Sequence, residues 1–247
     1  AAGEQCRGEG DEVHVAAVCD VDENKLKDTS GMAGNLPGAE KPLDFSGVEL
    51  HTNYAEMLAK AKLDAVSITL PTYLHAEHTI KALRKGLHVL CEKPMALDVA
   101  QCRRMIAAMN RSGKILQIGH CIRFWPEYVK AKEVIDSGEY GKVKAASFRR
   151  LSLSPVWTWD NWLLDGNRSG GALMDLHIHD ADYVQCVFGL PDSVCARGIV
   201  GPSGKLDHVI TQYVYGANDR VIMAEGGWIM APSFGFEMSF NIVLERA

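Results

Sequence analysis

Nowhere in this chain does an apolar run reach the ~20 residues that a bilayer-spanning helix needs, although 47% of its 247 residues are hydrophobic. No membrane span is expected, and the apolar residues must go into a packed core. A basic stripe and a block of like charges are also missing, and the net charge is −5, which argues against nucleic acid as a partner. No Cys-x-x-Cys occurs. The seven cysteines, Cys6, Cys19, Cys91, Cys102, Cys121, Cys186 and Cys195, are scattered and odd in number, so reduced thiols are expected rather than a disulfide framework or a zinc site. The opening AAGEQCRGEG has no apolar run of the kind a secretory signal carries, and a soluble, cytoplasmic protein is expected. There is no internal repeat and no low-complexity stretch. The length suits one large domain or two modest ones.

What is present is alternation. EVHVAAVCD (12–20), LDAVSITLP (63–71), LHVLCEKP (87–94) and KILQIG (114–119) are apolar runs that read as buried parallel strands. The Gly- and Pro-rich NLPGAEKPLDFSG that follows the first is a loop, and NYAEMLAKA (53–61) is a short helix. HAEHTIKALRKG (75–86) predicts a helix with Ala76, Ile80 and Leu83 as its apolar stripe, closed by Gly86. Asp98, with Gln101 three residues on, resembles a capping box for a helix striped by Val99, Cys102, Ile106 and Met109 and ended by Gly113. Strand and helix in turn specify a doubly wound parallel sheet of Rossmann type. After residue 119 the pattern changes. Helices over 125–138 and 171–189, a long strand over 142–152 and four strand-like runs with short connections predict a second α/β unit with a mostly antiparallel open sheet. The expected division is residues 1–119 and 120–247.

Doubly wound sheets bind ligands outside the C-terminal ends of their strands, and several polar features fall there. Asp20 ends the first strand, where an acid can accept from an adenosine ribose diol and repel a 2′-phosphate; a turn-forming role, or Asp22 in its place, is the plainer alternative. In TLPTYLH, Leu70 and Pro71 close a strand and His75 opens a helix, a place suited to a polar or anionic ligand or merely to a capping turn. In CEKP, Glu92 and Lys93 sit at a strand end, and Pro94 holds Lys93 extended. A lysine so aimed can donate to a substrate hydroxyl and favour its ionisation; a surface turn is the alternative. In SGGALMDLHIHDADYV, helical spacing puts Asp175, His179 and Asp182 within about 60° on one face and turns His177 about 160° from His179. Two histidines so opposed cannot share an ion from a regular helix, so no metal is expected. Asp175 and His179 can form an acid–base pair in which the carboxylate orients the imidazole, with Gly170 and Gly171 admitting a ligand close to the backbone. WTWDNW offers Trp157 and two further tryptophans, rings that stack on sugar faces or pack in a core or subunit contact.

Together AVCD, DAVSITLPTYLH, KALRKGLHVLCEKPMA, GHCIRFWPEY, the G-E-Y-G-K-V turn and GGALMDLHIHDADYV resemble the glucose–fructose oxidoreductase, inositol dehydrogenase and rhizopine catabolism family, Gfo/Idh/MocA. The resemblance runs through nearly the whole chain. It implies a dinucleotide-binding unit followed by a substrate-binding and oligomerisation unit whose sheet makes a homodimer or homotetramer. It implies NAD as cofactor, with NADP possible, lined by Asp20, Leu70, Pro71, His75, Glu92 and Lys93. Lys93, Asp175 and His179 become the catalytic residues: His179 takes a hydroxyl proton as hydride leaves the same carbon, Lys93 polarises that oxygen, and Asp175 fixes the substrate and the histidine. Arg123 and Trp157 join Lys93 and His179 around the substrate. The family's opening strand and G-x-G-x-x-G turn have no counterpart here; Gly8-Glu9-Gly10 precedes a strand instead of following one. The family pattern also continues past FEMSFNIVLERA. A fragment, or a sequence with residues omitted, is expected.

The function so implied is NAD(P)-dependent hydride transfer between nicotinamide and a secondary alcohol of a sugar, inositol or related polyol. The alternatives are a redox-assisted glycosidase, which oxidises a sugar transiently so that elimination breaks the glycosidic bond, and a non-catalytic dinucleotide sensor. Neither nucleic acid nor membrane is an expected partner.

Overall fold

The computed structural model describes residues 13–27, 43–216 and 219–247. Cys6, the Gly8-Glu9-Gly10 segment, the first residue of EVHVAAVCD, most of the expected loop after that strand and residues 217–218 lie outside them.

The first half alternates as its sequence requires: β1 (Ala17–Cys19), α1 (Glu23–Lys27), β2 (Glu49–His51), α2 (Tyr54–Lys60), β3 (Ala65–Ile68), a 3-10 turn (Thr72–Leu74), α3 (His75–Arg84), β4 (His88–Cys91), α4 (Val99–Ser112) and β5 (Leu116–Ile118). β3, β4 and β5 form a parallel three-stranded sheet, and β1 pairs in parallel with β2 in a separate two-stranded ladder. The strands alternate instead of burying both faces. Val66, Ile68, Val89 and Cys91 pack with Ala76, Ala82 and Leu83 of α3 and Met105 and Ala108 of α4, while Leu90 on the opposite face is exposed. Asp98 caps α4 as expected, accepting from the Gln101 N–H at 2.7 Å, and Gly113 ends it at φ 65°. The buried stripe of α4 is only in part the expected one. Cys102 and Met109 pack against the core, but Met105 and Ala108 are the fully buried residues and Val99 and Ile106 are exposed, so the inward face is rotated toward Met105 and Ala108. α4 packs against α3 as well as the sheet, and the two neighbours together set its rotation.

The second half comprises a 3-10 turn (Cys121–Phe124), α5 (Pro126–Ser137), β6 (Val143–Leu153), a 3-10 segment (Trp159–Leu164), α6 (Gly166–Ser169), α7 (Ala172–Asp175), α8 (His177–Phe188), β7 (Ser193–Val200), β8 (Leu206–Val214), β9 (Val221–Met230) and β10 (Glu237–Leu244). Its sheet has five strands in the order β10-β6-β9-β8-β7. All pairs are antiparallel except β6 with β9, which are parallel. β10 thus crosses to the far side of β6 instead of following β9. One face is covered by α5 and α8, with Tyr128, Phe148, Tyr183, Val184 and Ile222 at the core. The expected single helix over 171–189 is interrupted. Leu176 (φ −94°, ψ −55°) separates α7 from α8 and is buried with Ala172, Leu163 and Trp228 in a small core of its own. No helix among the described residues is long and apolar enough to cross a membrane.

Candidate active site

Lys93 leaves β4 toward the second half of the chain. Its Nζ donates to Asp175 Oδ1 at 2.8 Å and to the Asp175 carbonyl oxygen at 3.0 Å, across 82 residues of sequence. Both side chains are 16% exposed, enclosed enough to hold a geometry and open enough to meet a ligand. An ammonium carries three N–H donors; Asp175 takes two of them. His179 follows on the first turn of α8. Its Nδ1 is buried and finds no hydrogen-bond partner among the described residues. Burial, with the positive charges of Lys93 and Arg150 and the His120 ring nearby, drives its pKa down to about 2. The imidazole is neutral, beside an ammonium that favours the ionised form of any hydroxyl it binds.

This corrects one expectation. Asp175 does not orient the His179 ring; its carboxylate is occupied by Lys93. At the α7–α8 junction the His179 N–H bonds the Leu176 carbonyl at 3.2 Å, and the Asp175 carbonyl accepts from Lys93 instead. The third acid of the stripe is engaged elsewhere: Asp182 accepts from Arg123 Nε at 2.6 Å and from its Nη2, and lies 3.7 Å from His120 Nδ1. Arg123 also lines a shallow cavity of about 250 Å³ with Leu116, Gln117, Ile118, His120 and Phe124. His120 lies in the GHCIRFWPEY stretch, from which only Arg123 was singled out; its position two residues after β5 was the available signal.

The strand-end residues divide. Glu92 packs its carboxylate over Gly119 at the end of β5, where a Cβ would come within 3.3 Å, and accepts from the Lys93 N–H at 3.1 Å. Asp20 ends β1 and accepts from the Asp22 N–H at 2.9 Å, with Lys25 at 3.8 Å; it makes the turn and keeps its second oxygen toward the lysine. Leu70 and Pro71 form the turn after β3. His75 differs from expectation. Its ring is buried, with Nδ1 2.8 Å from the Pro94 carbonyl and Nε2 2.7 Å from the Leu70 carbonyl, so neither nitrogen is available to a cofactor. Asp20 thus follows β1, Leu70 and Pro71 follow β3, and Glu92 and Lys93 follow β4, each at the C-terminal end of a parallel strand. An acid after β1 and an ammonium after β4 are residue types able to hold the ribose and the reacting end of a dinucleotide.

Trp157 is half-buried in the turn before the 3-10 segment. Trp159, another tryptophan of that stretch, and Tyr73, which was not singled out, flank one arginine. The Arg168 guanidinium lies 5.0 Å from the Tyr73 ring and 5.8 Å from the Trp159 ring, and pairs with Asp160 at 2.9 Å. Asp160 and Asn161 both have positive φ, 50° and 46°, a conformation this anchoring sustains. Gly170 and Gly171, also at positive φ, lie against Met174 and against the Leu206 carbonyl; their lack of a side chain serves packing within the protein.

Sequence comparison adds two matches. The model of an oxidoreductase family with an NAD-binding Rossmann fold, GFO/IDH/MocA, matches residues 2–120, and that of the GFO/IDH/MocA C-terminal domain matches residues 128–247. An uncharacterized oxidoreductase of Rhizobium meliloti is 35% identical over 160 residues, 64% of this chain and 47% of that protein. The D-glucoside 3-dehydrogenase of Escherichia coli K12 is 30% identical over 180 residues, 73% of this chain and 48% of that enzyme. The chain thus spans about half the length of the curated relatives it matches. Among solved structures, myo-inositol 2-dehydrogenase from Lactobacillus plantarum superposes with a TM-score of 0.78 at 25% identity, covering 95% of this chain and 67% of that one.

Proposed function

This chain belongs to the GFO/IDH/MocA oxidoreductase family, and from that premise we propose that the protein carrying it is an NAD(P)-dependent dehydrogenase of a secondary alcohol on a sugar, inositol or related polyol. On this reading residues 1–119 hold the dinucleotide and 120–247 the substrate. When bound, the nicotinamide supplies the hydride acceptor at C4. Everything else falls to side chains on this chain. The remaining N–H of Lys93 binds the reacting hydroxyl and lowers its pKa, and His179 receives the proton as the carbon gives up its hydride and the C–O bond becomes a carbonyl. Asp175 keeps the ammonium aimed, Arg123 and Trp157 border the substrate, and Asp20 favours NAD over NADP by occupying the place of a 2′-phosphate. The exposed apolar residues Ile199, Ile210, Val221 and Val243 on the outer face of the five-stranded sheet support a homodimer or homotetramer through that face.

The observation that carries the reading is the Lys93–Asp175 contact, which joins a parallel-strand end to α7 one turn before a neutral His179. The full-length protein, assayed with a panel of sugars and inositols and with NAD or NADP, should reduce the nicotinamide with at least one cyclic polyol. Release of an aglycone from a glycoside without net reduction would replace the dehydrogenase with a redox-assisted glycosidase. Cofactor binding with neither reaction would leave a sensor.

A further inference from the structure

The ends of β4 and β5 lie side by side. Cys91 is paired with Ile118, and the Gly119 N–H donates to the Cys91 carbonyl at 2.8 Å. Two residues beyond that pair come Lys93 on one strand and His120 on the other. The His120 ring also meets α8, where its Nδ1 lies 3.7 Å from Oδ2 of Asp182, three residues after His179. The Lys93 charge acts on both imidazoles, and His120 in turn acts on His179. Lys93 and His179 serve the reacting hydroxyl; His120 has no part in that step. We propose that His120 is a specificity-determining residue whose Nε2 accepts a hydrogen bond from a second, non-reacting hydroxyl of the substrate, an inference that rests on the polyol dehydrogenase reading above.

At 3.7 Å the Nδ1–carboxylate approach is longer than a hydrogen bond, and that carboxylate is already held by Nε and Nη2 of Arg123. Nδ1 is buried and has no hydrogen-bond partner among the described residues. Burial pushes the ring's pKa below the ordinary imidazole value, against the pull of the Asp182 charge, so at pH 7 the ring is neutral and carries one N–H. The carboxylate favours that hydrogen on Nδ1, because an N–H dipole aimed at a negative charge is stabilised and a lone pair aimed at it is not. Nε2 is then a bare acceptor. The side chain keeps 20% of its surface exposed and lines the open cavity beside Arg123, so a ligand can reach it. A bare ring nitrogen accepts from a hydroxyl and faces the lone pairs of a carbonyl or carboxylate unfavourably. It therefore selects a free hydroxyl over an oxidised, deoxy or O-alkylated carbon at that position.

Imidazole nitrogen NMR on the full-length protein, with His120 assigned by comparison with His120→Gln, reads the tautomer without any reaction. A hydrogen on Nδ1 and a bare Nε2 are expected at pH 7, and the opposite tautomer overturns the proposal. With the reduced nicotinamide present, so that no oxidation proceeds, at least one sugar or inositol of the panel should shift the Nε2 resonance saturably; a panel in which none does so removes the contact. Both readouts come from wild type and do not depend on a variant that folds. In turnover, the polyol that is oxidised is compared with analogues in which one other hydroxyl is replaced by hydrogen or methoxy. At one position wild type should lose about 10-fold in kcat/KM. His120→Gln, whose amide oxygen still accepts, should keep most of that discrimination. His120→Leu should lose about as much with the parent polyol and nothing more with that analogue. Equal discrimination by wild type and His120→Leu would refute the contact, whereas a saturable shift at Nε2 without any reduction of nicotinamide by wild type would leave the contact standing and overturn the dehydrogenase reading alone.

Discussion

Two ion pairs lie near α8, and their surroundings are opposite. Arg150 and Asp180 are 3% and 0% exposed, with guanidinium–carboxylate contacts of 3.0 and 3.2 Å and a further bond from Arg150 to the Tyr128 hydroxyl at 3.2 Å. Lys93 and Asp175 are each 16% exposed and spend a donor on a backbone carbonyl. Burial lifts the Asp180 carboxyl above its usual range and the Arg150 charge only partly offsets this, the expected condition of a pair sealed away from water. The interior pair fastens α8 to β6. The partly buried pair joins the first half of the chain to the second, with the Lys93 charge close enough to act on the His179 ring. The first pair is closed off from solvent on both sides, whereas the second keeps one ammonium N–H beyond its two bonds to Asp175.

The largest effect should come from breaking the interior pair. Arg150→Met strands the Asp180 carboxylate and should cost about 3–5 kcal/mol of stability, read from the urea midpoint. Arg150→Met with Asp180→Leu should recover most of it, because the loss lies in the orphaned charge; a double variant as unstable as the single would show that the pair itself holds the helix. Next comes Lys93→Met, which should lower kcat by about 10²–10⁴-fold, while the urea midpoint should move less than for Arg150→Met, because Asp175 keeps some contact with solvent where Asp180 has none. If turnover survives intact, Lys93 has no part in the chemistry and the contrast between the two pairs is one of burial alone.

Much of this was legible in the sequence. Alternating runs gave the parallel strands, Asp98 with Gln101 gave a cap, and CEKP and D-x-x-x-H singled out the residues that meet as Lys93 and Asp175. What failed depended on neighbours distant in sequence. α4 rolled its stripe to satisfy α3 as well as the sheet, and the split at Leu176 followed from a small core built with Trp228 from β9. His75 read as a ligand residue because its position after a strand suits one; only the fold shows the Leu70 and Pro94 carbonyls closing on its ring. Arg150 had no signal at all, since a basic residue in a strand looks solvated until a helix with an acid is laid over it.

The smallest effect expected here sharpens the interior side of the comparison through pH. His177, two residues before His179, is buried against Gly226, with Nε2 2.9 Å from the Thr211 hydroxyl. Burial brings its pKa down to about 4, against about 6.5 in an unfolded chain. Above about pH 6.5 both states are neutral and the full stability is present. As pH falls from there toward about 4, the unfolded chain binds a proton that the native ring refuses, and stability declines by about 1.4 kcal/mol per pH unit for each such histidine. His177→Gln keeps a partner for Thr211 and removes one titrating group, so between pH 7 and pH 5 it should lose about 2 kcal/mol less than the wild type. His179, with its pKa near 2, titrates in both proteins and cancels in the difference, as do the other histidines. Urea unfolding of the two proteins at each pH gives that difference directly. Equal slopes would mean that the His177 ring is as easily protonated as an exposed one, and that the interior beneath α8 is wetter than its packing implies.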